Sequence, residues 1–193
     1  MKIPKLTLNL AIAAALLAIL AAIGPLIPPS RAAAGDQPIR MNGAAPELTG
    51  DAWLNTPNQA PITLASRLGK VTIVHFWTFG CINCRHNLPS YARWHKQFAD
   101  KDVLLIGVHT PEFSTERVPA NVARQVRQLG IEYPILLDPD YANWNRWHQQ
   151  FWPAVYLIDK QGRVRYRWEG ELNYRDAGGE AKIAHMVEQL LQE

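Results

Sequence analysis

The most strongly patterned segment of the chain is Val71-Thr72-Ile73-Val74-His75-Phe76-Trp77, apolar at every position except Thr72 and His75. A strand that is apolar on both faces belongs in the centre of a sheet covered on each side. After it, Arg85 to Ala99 carries Leu88, Tyr91, Ala92, Trp94, His95 and Phe98 at helical spacing. Val103 to Val108 predicts a second strand, and Pro119 to Leu129 a helix stopped at Gly130. Strand, helix and strand in that order imply a parallel pair.

Further on, Ile135 to Leu137 reads as a short strand, Tyr141 to Phe151 as a helix and Ala154 to Ile158 as another strand. Asp159-Lys160-Gln161-Gly162 is a hairpin turn into Val164 to Trp168, which makes that pair antiparallel. A final helix is expected from about Gly179 to Leu191. Ahead of the first strand, Glu47 to Leu64 is broken by Gly50, Pro57 and Pro61 and predicts short strands or an irregular hairpin. The sum is an α/β fold with a mixed central sheet and helices on both faces.

The N-terminus follows a different rule. Lys2 and Lys5 precede a stretch with no charged residue from Leu6 through Ser30, which closes on Arg31-Ala32-Ala33-Ala34-Gly35. Residues 1–34 therefore read as a membrane-targeting helix, either a signal peptide cut near Ala34 or an anchor across residues 6–27. Lysines ahead of the segment stay cytoplasmic, so both outcomes place the rest of the chain outside the cytoplasm. Residues 35–45 read as a tether, and 46–193 as one domain of ordinary size.

A formal net charge of +3 with scattered Lys and Arg excludes a nucleic-acid surface. No G-x-G-x-x-G occurs, so the chain has no visible means of drawing electrons from a nucleotide, and no cofactor is expected. Of seven tryptophans, Trp53, Trp94, Trp144, Trp147 and Trp168 read as packing.

The candidate chemistry is Cys81-Ile82-Asn83-Cys84, the only two cysteines, at the junction between the first strand and its helix. Two residues between them bring the sulfurs together across one helical turn. At a helix start, free N–H groups and the dipole favour thiolate over thiol. Cys81 is then the nucleophile and Cys84 the resolving thiol. Arg85 and His86 follow at once and read either as solvated helix residues or as a source of positive potential near Cys81.

Phe76-Trp77-Thr78-Phe79-Gly80-Cys81-Ile82-Asn83-Cys84, Gly107-Val108-His109-Thr110-Pro111-Glu112-Phe113 and Trp152-Pro153-Ala154-Val155-Tyr156-Leu157-Ile158-Asp159 are spread over most of the domain. Together they resemble the thioredoxin-like domains of the extracytoplasmic disulfide-reductase group that includes TlpA and ResA, most of all that of DipZ-type proteins. The resemblance implies a thioredoxin fold. It also implies a cis Trp152-Pro153 bond beside the cysteines, with Trp152 and Pro153 contacting an extended substrate segment. Pro89 matches a helix-kinking proline. Disulfide-containing protein substrates, a transmembrane dithiol electron donor and a role in cytochrome c maturation follow as expectations. His75 stands where thioredoxins commonly place a buried acid, so it is a candidate proton relay to Cys84 or a packed core histidine. His109 and Glu112 lie in a family-like motif near the active-site surroundings.

Two other readings remain open. Cys81 and Cys84 with a third ligand such as His109 suit a soft metal and would make a copper-delivery module. Thr78-Phe79-Gly80-Cys81 has the T-x-x-C spacing of a thiol peroxidase, without the preceding proline, since position 74 is Val.

Overall fold

The computed structural model describes residues 37–193, so the targeting segment read over residues 1–34 lies outside the described residues. Seven strands form one sheet: β1 (Ile39–Ala44), β2 (Trp53–Leu54), β3 (Val71–Trp77), β4 (Val103–His109), β5 (Ile135–Leu137), β6 (Ala154–Ile158) and β7 (Arg163–Glu169). Their order is β1-β7-β6-β3-β4-β5-β2. β3, β4 and β5 run parallel, while β6, β7, β1 and β2 pair antiparallel with their neighbours. The helices are α1 (Ile82–Gln97), α2 (Pro119–Gln128), α3 (Ala142–Arg146) and α4 (Gly179–Gln192). This is the expected mixed α/β sheet of a thioredoxin-like fold.

All seven residues of β3 are buried, as a doubly covered central strand requires. Its alternation divides the core in two. Val71, Ile73 and Trp77 pack with Tyr91 and Trp94 of α1, Val122 and Val126 of α2, and Ile183 and Val187 of α4. Val74 and Phe76 point the other way, against Leu48, Trp53, Leu64 and Trp147. Three helices thus cover one face, and the short α3 with the segment before β3 covers the other. The parallel β3-α1-β4 unit is what delivers Cys81 to the C-terminal end of the central strand.

Two elements differ from the sequence reading. The stretch read as a tether contains β1, which pairs with β7 through a bulge between Arg40 and Gly43. Every residue of β1 is exposed. It is held by main-chain hydrogen bonds to the sheet edge, so no alternation announces it. Of the short strands or hairpin read over residues 47–64, the structure has one short strand, β2, which forms the sheet edge beside β5, and a 3-10 turn at Pro57–Gln59. The helix expected over Tyr141 to Phe151 shrinks to α3, because Tyr141 and His148 adopt left-handed backbone, at φ 61° and 51°.

Candidate active site

Cys81 is the N-cap of α1, with extended backbone, and its Sγ accepts the Cys84 N–H at 3.3 Å. Both cysteines are free thiols; Cys81 is half-buried and Cys84 fully buried. The hydrogen bond from the Cys84 side chain is the largest influence on Cys81. Burial opposes it, the N–H groups of Cys84 and Asn83 assist, the Glu112 charge opposes, and the thiol settles at about 7. Burial, followed by the neighbouring Cys81, pushes Cys84 far up. Near neutral pH this gives a reachable sulfur that is about half ionised above a protonated one.

A second group of residues approaches from the end of β4 and the loop behind it. Glu116 is buried, and its carboxylate accepts N–H bonds from Gly80 (2.7 Å), Glu112 (2.6 Å) and Phe113 (2.8 Å). Burial raises its pKa, but these bonds and one from Thr78 outweigh burial and hold it below the ordinary value. The Thr78 hydroxyl lies 3.3 Å from His109 Nε2, and Phe79 stacks on the same ring. Burial lowers His109 to about 4, which keeps it neutral. Glu112 is exposed, and so are Arg85 and His86; His86 pairs with Glu171 at 3.0 Å.

The Trp152-Pro153 bond is cis. Because Phe76 pairs with Ala154 across antiparallel strands, the dipeptide lies at the same end of the sheet as the loop leading to Cys81. Trp152 donates from Nε1 to the Thr110 carbonyl at 3.1 Å and lies against Trp144, with ring centroids 4.0 Å apart. Asp138, also buried, fixes both supports. It accepts from the Thr110 hydroxyl (2.9 Å), Asn143 N (2.9 Å), Trp144 N (3.0 Å) and Asn143 Nδ2 (3.2 Å). Removing this acceptor leaves several buried donors unpaired, so Asp138→Ala is expected to cost about 3 kcal/mol. Thr110→Val removes one charge-assisted bond, for about 1.5 kcal/mol. Urea unfolding monitored by tryptophan emission measures both.

His75 stands on β3 with no exposure. Neither ring nitrogen has a hydrogen-bond partner, and the same is true of Trp77 Nε1 and Tyr133 Oη. Its ring lies 4.0 Å from that of Tyr91 and edge-on to Tyr133 at 5.4 Å. Gly107 makes room for it: a Cβ there would fall 2.8 Å from His75 Nε2 and 2.6 Å from Ile135 Cδ1. Burial lowers His75 to about 3.

Comparison with known proteins agrees with this architecture. The AhpC/TSA family profile matches residues 41–167. The chain belongs to the AhpC/TSA family. Protein DipZ of Mycobacterium tuberculosis is 47% identical over 133 residues, which span 68% of this chain and 19% of DipZ. The chain thus matches about a fifth of the length of that relative. Thiol-disulfide oxidoreductase YkuV of Bacillus subtilis is 28% identical over 130 residues, covering 66% of this chain and 84% of YkuV. A thiol-disulfide isomerase from Corynebacterium glutamicum superimposes with a TM-score of 0.65 at 21% identity, over 77% of this chain and 97% of the isomerase.

Within this AhpC/TSA-family domain the cysteine pair and the Trp152-Pro153 segment lie at the same sheet end. Glu116 and Asp138 went unnoticed in the sequence. Each reads there as an ordinary loop acid, and its partners lie 36 and 28 residues away, at Gly80 and Thr110. Among the described residues no three His, Cys, Asp or Glu side chains converge to hold a metal. His109, the third ligand of the copper reading, is engaged with Thr78 and stacked under Phe79.

Proposed function

We propose that this chain is an extracytoplasmic thiol-disulfide oxidoreductase that reduces protein disulfides. The observation that carries the reading is a half-buried Cys81 with lowered pKa capping α1 directly over a buried, protonated Cys84. The Cys81 thiolate attacks one sulfur of a target disulfide and forms a mixed disulfide, while the other target sulfur leaves as thiolate and takes up a proton. Cys84 then loses its proton and attacks Cys81 Sγ. The Cys81–Cys84 disulfide forms, the second target thiol is released, and two electrons have passed to the target. A transmembrane dithiol donor restores the pair. Trp152 and Pro153 present backbone to an extended substrate strand beside Cys81.

His75 is proposed as the proton acceptor for Cys84. Supporting it are its position on the face that carries Cys84 and its two unpartnered nitrogens. Its low basicity weighs for a packing role instead. Export rests on the Lys2 and Lys5 leader pattern. The cysteine pair of an apocytochrome c is the proposed target class, by likeness to the TlpA and ResA group.

The test of direction is the equilibrium reduction potential against glutathione. A value at or below about −250 mV is expected for a reductant, and one near about −120 mV would make the protein an oxidant instead. The same sample, given peroxide and a dithiol, should consume peroxide no faster than free thiol. Rapid consumption would favour the peroxidase reading.

A further inference from the structure

Gly80, the residue before the nucleophile, is tied to a side chain far along the chain. Glu116 Oε1 accepts the Gly80 N–H at 2.7 Å, while Oε2 accepts those of Glu112 and Phe113. Oε2 does the local work, since bonds to residues three and four positions earlier close the turn in which Glu116 sits. Oε1 has no such local duty. It reaches across to the loop that ends in Cys81.

Gly80 is shaped for this contact. A Cβ at that position would fall 2.5 Å from Oε1, and 3.5 Å from Phe113 Cδ2. No cation pairs with Glu116 among the described residues. Its buried charge is met by backbone N–H groups and the Thr78 hydroxyl. A buried carboxylate satisfied in this way is a stiff link, because losing any donor leaves a charge poorly solvated.

We infer that Glu116 is a positioning residue for the nucleophile: by holding the Gly80 N–H it keeps the Cys81 sulfur at the N-cap of α1. The inference rests on the proposed role of Cys81. The sulfur gains from the helix start only while it faces the Cys84 N–H, and a loosened Gly80 lets it swing away. The charged and titratable groups around this assembly are Cys84 on α1, Glu112 in the loop and His109 at the end of β4. Glu112 and Cys84 are unchanged by the substitutions that follow.

The test is iodoacetamide labelling of Cys81 in the reduced full chain from about pH 5 to 10, with the labelled residue assigned by mass spectrometry. Wild type is expected to show a midpoint near 7. Glu116→Gln keeps one acceptor oxygen where the carboxylate has two, and its midpoint should rise by about one unit. The thiolate fraction at pH 7 then falls from about a half to about a tenth. The rate falls only about twofold, because a more basic thiolate is a better nucleophile, so the midpoint is the decisive reading.

Gly80→Ala pushes the carboxylate away from the other end and should shift the midpoint by a similar amount. If Glu116 acts through Gly80, the double variant shifts no further than the larger single one. Folded variants that keep the wild-type midpoint overturn the inference, and so do additive shifts. Should Glu116→Gln not fold, Gly80→Ala, which retains the carboxylate, decides alone. A wild-type midpoint at the ordinary value of about 8.5 strikes instead at the role given to Cys81.

Discussion

Cys81→Ser is expected to abolish disulfide exchange, lowering the rate by about a thousandfold or more, because a hydroxyl of ordinary pKa does not ionise near neutrality. Cys84→Ser has the opposite signature. It keeps the attacking sulfur and loses the resolving one, so it should stall as a mixed disulfide that non-reducing gels show and dithiothreitol removes. Serine still offers a donor to Cys81, whose largest pKa influence is the hydrogen bond from the side chain at position 84. The first attack by Cys84→Ser therefore stays fast near pH 7. Cys84→Ala removes that donor and leaves only the backbone N–H groups of Cys84 and Asn83, so the pH dependence of its first attack should move upward. A Cys81→Ser protein that still captured targets would reverse the assignment of the two sulfurs.

Local pattern carried the parts of this fold in which side chains meet the core. The run Val71 to Trp77 announced a central strand, and all of it is buried. The helix after Cys84 announced its inner face through Tyr91 and Trp94, which are buried. Patterning failed where main-chain bonding or backbone conformation decides. β1 packs nothing inward, and α3 ends because His148 turns left-handed. The cysteine pair was legible because its chemistry is local, with four consecutive residues and one helix start.

The supports of the site are not local. Glu116 meets Gly80 and Asp138 meets Thr110 only after β4 and β5 have placed their loops at one sheet end. His75 was legible as a position, but not as an imidazole without a hydrogen-bond partner wedged beside Tyr91. The exposed Ile82 and Phe113 flank the same sheet end.

Acid should unfold this domain through its histidines before its carboxylates titrate. His75 at about 3 and His109 at about 4 both lie below the 6.5 of a free imidazole, and burial is the leading cause in each case. Between about pH 4 and 6.5 the unfolded chain binds protons at both positions and the folded chain does not, so stability falls as pH falls through that window. Each group contributes up to about 1.4 kcal/mol per pH unit, and the two together remove roughly 6 kcal/mol by about pH 4. That is comparable with the whole stability of many domains. Glu116, Asp159 and Glu180, whose pKa values are lowered in the fold, add their losses only below about 4.5.

His75→Leu separates the structural from the chemical role of this imidazole. It removes two unpaired buried nitrogens, worth about 1–3 kcal/mol, and gives up ring contact with Tyr91, worth about 1 kcal/mol. Stability at pH 7 should therefore hold or rise, and the slope of stability against pH should drop to about half. With folding intact, the second step becomes readable. Resolution of a preformed Cys81 mixed disulfide should slow by about a hundredfold if His75 accepts the Cys84 proton, the lower range for general-base assistance. An unchanged resolution rate in a fully folded His75→Leu protein would make the histidine a packing residue, with Cys84 losing its proton to solvent or to the departing thiolate.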